Sequence, residues 1–195
     1  MSIHERIGNQ IAASVTTAQA VADSLSGGIE AAAITIADCL LSDGKILCCG
    51  NAGSAAHSQH FATLMLNGFE KERPGLPAVV LSSDTSTLTA IAQDHRFEEV
   101  FAKQIRALGH AGDILVLFTI CGTSPNILAA ANAAHDRDMK VIALTGRDGG
   151  ALSPLLEETD VEVRVPSDSA ARVQEAHLLI THCLCDLIDH RLFGH

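Results

Sequence analysis

The chain has no tryptophan and no tyrosine, and its carbocyclic rings are six phenylalanines in 195 residues. The stacking platforms on which single-stranded nucleic acids are held are therefore missing. Basic residues are scarce as well: 13 Lys and Arg stand against 23 Asp and Glu, for a formal charge of -10, with no Lys/Arg block. Direct contact with nucleic acid is disfavoured, and an anionic small molecule would have to be held by backbone and hydroxyl groups. The six cysteines form no CxxC pair; two are adjacent in an apolar run and the others fall on helical apolar faces. They read as reduced core residues, not as a disulfide framework, and this points to the cytoplasm. The segment Met1 to Gln10 carries charges and no apolar stretch, and nowhere do roughly 18 uncharged apolar residues run together, so neither secretion nor a membrane span is expected. At 195 residues and 47% hydrophobic content the chain suits one globular domain.

The rest of the chain is organised around Lys45 to Phe61, KILCCGNAGSAAHSQHF. The apolar run Ile46 to Cys49 runs straight into Gly50-Asn51-Ala52-Gly53-Ser54 and then into a small-residue segment with helical character. This reads as strand, tight turn and helix start. The turn glycines can take positive φ, the first free N–H groups of the helix point into the same space, and a phosphate suits that space. Ser54 is expected at the N-cap. The plain alternative is a structural turn in an α/β protein.

Short β-branched or apolar runs recur at Ala78 to Leu81, Ile114 to Thr119, Val141 to Thr145 and Val161 to Val165. Helical stretches separate them, near Thr85 to Gln93, Phe97 to Leu108 and Pro125 to Arg137, with a short piece near Leu152 and a long final helix from Ser169 to Leu192. Strands alternating with helices predict an α/β fold with a five-stranded parallel sheet covered on both faces. Ahead of it, an amphipathic Ala-rich stretch broken at Ser26-Gly27-Gly28 predicts a pair of helices over about 2–43, before an α/β core over about 45–195. In such sheets ligands sit beyond the carboxyl ends of the strands. A second turn there, Thr119 to Asn126, offers hydroxyls, Ser124 as N-cap and Pro125 as first helical residue. A third, Ser82 to Thr85, adds more hydroxyls. Taken singly, each could be ordinary capping chemistry.

Five segments together resemble the sugar isomerase (SIS) domain of the phosphoheptose isomerase family. They are Gly50-Asn51-x-Gly53-Ser54-Ala55, DxSxLTAIxxD from Asp84 to Asp94, KQIRALGxxGD from Lys103 to Asp113, ALTGRDGG from Ala143 to Gly150, and RVQEAHLLxxH from Arg172 to His182. KILCCGN, HCLCDLID and the terminal Leu192-Phe193 are more similar to the family's non-catalytic branch, the DnaA initiator-associating proteins. The resemblance implies a flavodoxin-like three-layer α/β/α sandwich and a homotetramer with shared sites. It also implies a sugar phosphate ligand held by Asn51, Gly53, Ser54, Asp94, Thr119, Cys121, Ser124 and Gln174.

In the isomerases, the resemblance implies, a Glu one helical turn after a motif His works with a His on the last helix, and some members bind zinc through these residues and a Gln. His60, Gln174 and His182 occupy three of those positions here, and Leu64 occupies the fourth, on the same helix face as His60. With no carboxylate at Leu64, no catalytic residue is assigned, except His182 if the chain is active. No cofactor is expected, and zinc would have only His60, Gln174 and His182. Further departures are Ile120 and Cys121 in the phosphate turn, His57 where an aspartate is usual, and Ala52 where the second turn glycine is usual. The expectation is a non-catalytic regulator of chromosomal replication initiation, with the initiator DnaA as partner through Leu192 and Phe193. The alternative is a phosphoheptose isomerase acting on sedoheptulose 7-phosphate. His60 and His182 also have a plain reading, as buried imidazoles each satisfied by one hydrogen bond.

Overall fold

The five apolar runs are the strands of one sheet. The computed structural model describes residues 1–194, and β1 (Ile46–Gly50), β2 (Ala78–Val80), β3 (Ile114–Phe118), β4 (Lys140–Gly146) and β5 (Val161–Val165) lie parallel in the order β2-β1-β3-β4-β5. β1 and β3 are buried along their whole length, which is why both read as continuous apolar runs instead of alternating ones. Side chains still alternate between two layers. Ile46, Cys48, Ile114, Val116 and Phe118 pack in the core formed with α1 (Ile3–Leu41), α2 (Gly53–Asn67) and α6 (Ala170–Phe193). Leu47, Cys49, Leu115 and Leu117 pack in the other, with α3 (Thr85–Asp94), α4 (Ala102–Leu108) and α5 (Pro125–His135). The result is the expected three-layer α/β/α sandwich.

The strand order places β1 beside β3, with Gly50 paired to Phe118. The chain leaves β1 toward β2 and leaves β3 toward β4, so the connections diverge at this point and open a crevice beyond the strand ends. All six cysteines are free; Cys39, Cys48, Cys49 and Cys185 are buried, and Cys121 and Cys183 are half-buried.

The expected pair of N-terminal helices is one helix. α1 runs unbroken through Ser26, Gly27 and Gly28 for 39 residues, from a capping box in which Ser2 and Glu5 exchange side-chain to backbone bonds. Each interior glycine costs a helix only about 1 kcal/mol. Burial of Val21, Ile29, Ala32, Ala33, Ile36 and Ala37 against the body offsets that cost. Gly28 faces β5, where a Cβ would meet the Glu162 carbonyl and Val163 at 3.8 Å, an ordinary van der Waals contact. By length and composition α1 could cross a membrane, but its second half is built into the core.

Candidate functional site

Two turns leave the sheet side by side at the crevice. The first, after β1, starts α2 at Gly53, so Ser54 is the second helical residue and not the N-cap. Ala52 holds the cap position, at φ 51° and ψ −121°, and the turn closes through Ser54 N donating to Asn51 O at 2.9 Å. Positive φ in this turn thus falls on Ala52 and on neither flanking glycine. Gly53 matters in a different way: the Gln174 amide lies directly over it, and a Cβ there would displace that amide.

The second turn, after β3, begins at Thr119. The Thr119 hydroxyl is buried and accepts from Gly122 N at 3.2 Å, bending the chain back toward α5. Gly122 has φ 62°, and a Cβ on it would strike the Gly149 carbonyl of the segment after β4. Ser124 is the N-cap of α5 as expected, but its side chain makes no capping bond; Pro125 opens the helix. Cys121 is half-buried and its thiol lies 3.0 Å from the Thr123 hydroxyl.

A residue not singled out from the sequence joins the two turns. Asn51 and Asn126 exchange amide hydrogen bonds, each 2.8 Å long, across the β1/β3 boundary. Asn126 is buried at the second position of α5, and only the approach of the two turns, not any motif, identifies it. A cleft of about 400 Å³ opens over this pair, lined by Asn51, Ser124, Pro125, Asn126, Arg96, Phe97 and Glu98. Arg96, paired with Glu98 at 3.1 Å, puts a cation on its rim that the sequence reading did not include. Asp94 stands exposed at the end of α3, outside the lining of this cleft.

Further along α2 the imidazoles gather. His60 Nε2 and His182 Nε2 are 3.1 Å apart, one on α2 and one on α6, and Phe69 stacks on His182 at 5.5 Å. Burial first, and the neighbouring His182 second, hold the His60 pKa below its ordinary value, so it stays neutral at pH 7. One ring Nε2–H must then donate to the other ring's lone pair. His57, on the preceding turn of α2, is lowered by burial and by His60, and it lies 6.2 Å from Phe118 and 6.3 Å from His177 between ring centres. His177 is fully buried, its Nε2 donates to the Thr145 carbonyl at 3.0 Å, and its Nδ1 has no partner. Burial pushes its pKa down to about 4.

Leu64, one turn beyond His60, packs half-buried on the core and presents no polar atom. The donors His60, Gln174 and His182 do not fit zinc: two imidazoles and an amide supply no anionic ligand, and no group of three His, Cys, Asp or Glu side chains able to hold a metal occurs among the described residues. Leu192 and Phe193, expected as a partner surface, are half-buried against the same core as α1 and α6, with the Arg73 guanidinium 5.9 Å from the Phe193 ring.

Comparison with known proteins fits this geometry. Residues 10–146 match the SIS domain family. The chain is 65% identical over 194 residues to a phosphoheptose isomerase of Methylococcus capsulatus, covering 100% of both chains. Its fold superposes on the structure of phosphoheptose isomerase GmhA from Neisseria gonorrhoeae with a TM-score of 0.92, at 48% identity, covering 96% of this chain and 99% of that one. A phosphoheptose isomerase from Francisella tularensis gives 0.95 at 46% identity, covering 97% and 100%. These relatives overturn the expectation of a non-catalytic replication regulator: end-to-end similarity leads to isomerases, and the apolar side chains of KILCCGN, HCLCDLID and Leu192-Phe193 pack in or against the two cores. The chain belongs to the phosphoheptose isomerase family of SIS-domain proteins.

Proposed function

We propose that this protein is an aldose-ketose isomerase acting on a seven-carbon sugar phosphate, sedoheptulose 7-phosphate in the ketose direction. The observation that carries the reading is the His60–His182 contact of 3.1 Å on α2 and α6, beside a crevice made by two helix N-termini. The phosphate sits against the positive ends of α2 and α5, with Ser54, Thr119, Cys121 and Ser124 around it. Asn51 and Gln174 take sugar hydroxyls, with Gln174 lying over Gly53.

Isomerisation moves one proton from C1 to C2 of the ketose through an enediol, with a second proton passing between the oxygens. Two imidazoles joined through one Nε2 proton have the parts for this. When substrate takes the place of that contact, the lone pair of one Nε2 accepts the C1 proton while the other ring's N–H hydrogen-bonds the substrate oxygens; the O1 proton passes to O2, and the imidazolium returns its proton to C2, so the pair ends as it began. No metal enters this scheme. Leu64 leaves the pair without the carboxylate that the family resemblance implies, and a positioned general acid or base supplies roughly 10²- to 10⁴-fold. Leu64→Glu is therefore expected to raise turnover on sedoheptulose 7-phosphate at least 10-fold, and His182→Ala to lower it by at least about 100-fold. Equal rates in all three proteins, or no conversion by any of them, would overturn the reading.

The reading includes a homotetramer. The exposed first half of α1 carries Ile3, Ile7, Ile11 and Val15 as a stripe at helical spacing, 54% to 75% exposed, which helices of neighbouring subunits would cover.

A further inference from the structure

Arg73 carries a charge into the body of the protein: its side chain is 1% exposed and that of its partner Asp189 is 7%. A buried ion pair is weak evidence for stability, because apolar residues of the same volume often serve as well; what such a pair can specify is geometry. The guanidinium here uses its whole fork. Nε donates to Asp189 Oδ1 at 2.5 Å, Nη1 to the carbonyls of Met65 at 2.7 Å and Pro74 at 3.0 Å, and Nη2 to the carbonyl of Leu64 at 2.9 Å.

The places it touches are ordered about the imidazole pair. Leu64 and Met65 lie in the turn of α2 that follows His60, and their carbonyls also accept from Gly68 N and Leu76 N, each at 2.9 Å, so Arg73 adds a second bond to each. Asp189 lies two turns after His182 on α6, on the same face. The segment that delivers Arg73 begins at Gly68, whose φ of 120° turns the chain out of α2, and its next residue is Phe69, stacked on His182. One side chain therefore ties the helix of His60, the helix of His182 and the segment that holds Phe69 against His182.

We propose that Arg73 is a positioning residue for the His60–His182 pair, acting through Asp189, the end of α2 and Phe69. The proposal rests on the isomerase reading for its effect on turnover, but not for its effect on the imidazoles. A lysine retains the charge and can reach Asp189, yet it cannot present the planar fork to both helices at once. Misplacing a reacting group by 1 Å can cost on the order of 10²-fold in rate. Arg73→Lys is expected to lower kcat 10- to 100-fold, with KM changed less than about 3-fold, because the phosphate turns lie at the opposite end of α2.

The test uses the full-length chain with 13C,15N-labelled histidine, as wild type, Arg73→Lys and Asp189→Asn. In the ligand-free protein the stacked Phe69 ring shifts the His182 carbon-bound protons upfield, and both variants should lose most of that shift while thermal melting still shows a cooperative fold. A variant that melts earlier but keeps the His182 shifts and the wild-type kcat would show that Arg73 only stabilises, and would overturn the proposal. Should Asp189→Asn fail to fold, the Arg73→Lys protein decides alone. Lost His182 shifts in a family of proteins that all lack turnover would leave the positioning role standing and overturn the isomerase reading instead.

Discussion

Ala52 sits where the backbone asks for glycine. At φ 51° and ψ −121° it occupies the first central position of a primed turn, a conformation that strains a residue with a Cβ by roughly 1–3 kcal/mol. Glycine relieves the strain at an entropic cost below about 1 kcal/mol. Ala52→Gly is therefore expected to stabilise the fold by about 1 kcal/mol in urea denaturation, and a loss of stability would show the strain to be absent. His177 makes a second prediction. Its folded pKa of about 4 lies below the unfolded value of 6.5, so between those values the unfolded chain binds the proton and the folded chain does not. Stability attributable to His177 is complete above pH 6.5 and declines as pH falls toward 4, by up to roughly 3 kcal/mol. His177→Gln should flatten that decline in melting curves taken across the window. An unchanged slope would place the acid sensitivity elsewhere. At this scale the hydroxyls and amides of the turns were legible as residue types at strand ends. The Asn51–Asn126 pair and the Gln174–Gly53 contact were not, because each depends on segments far apart in sequence meeting at one point.

The elements were largely legible, for a physical reason: strands buried on both faces must be apolar throughout, and the breaks between them carry glycine, serine and proline. β5 was legible to both ends, Val161–Val165, and Ser124 and Pro125 mark the start of α5 as their chemistry requires. The sequence misled where tertiary packing outweighs local propensity. Ser26-Gly27-Gly28 has the look of a break, yet α1 continues through it because the helix beyond is buried against β5 and α6. Gly27 has nothing within 4 Å of the position a Cβ would take. Gly27→Ala should thus raise stability by about 0.5–1 kcal/mol without a change in fold. Destabilisation would mean that α1 bends at this point in solution.

For the whole molecule, the exposed stripe on α1 is the feature one subunit leaves unexplained. Replacing Ile7 and Ile11 with Glu should reduce the mass seen by light scattering from that of a tetramer of 20.4 kDa chains, with the far-ultraviolet dichroism of a folded protein retained. A double variant that remains tetrameric would move the interface to another face. Function was legible at this scale only as far as a family with two kinds of member, because Leu64 argued for lost chemistry; end-to-end similarity to isomerases redirected that choice, and the proposed route for the proton runs through the imidazole contact. The direct test follows that proton. When sedoheptulose 7-phosphate is incubated with the protein in D2O, reversible enediol formation should wash deuterium into C1 of the ketose, seen by NMR as a falling C1 proton signal. The account predicts exchange well above the protein-free rate with wild type and loss of that exchange in His182→Ala; C1 protons that persist as long with wild type as in buffer would contradict it.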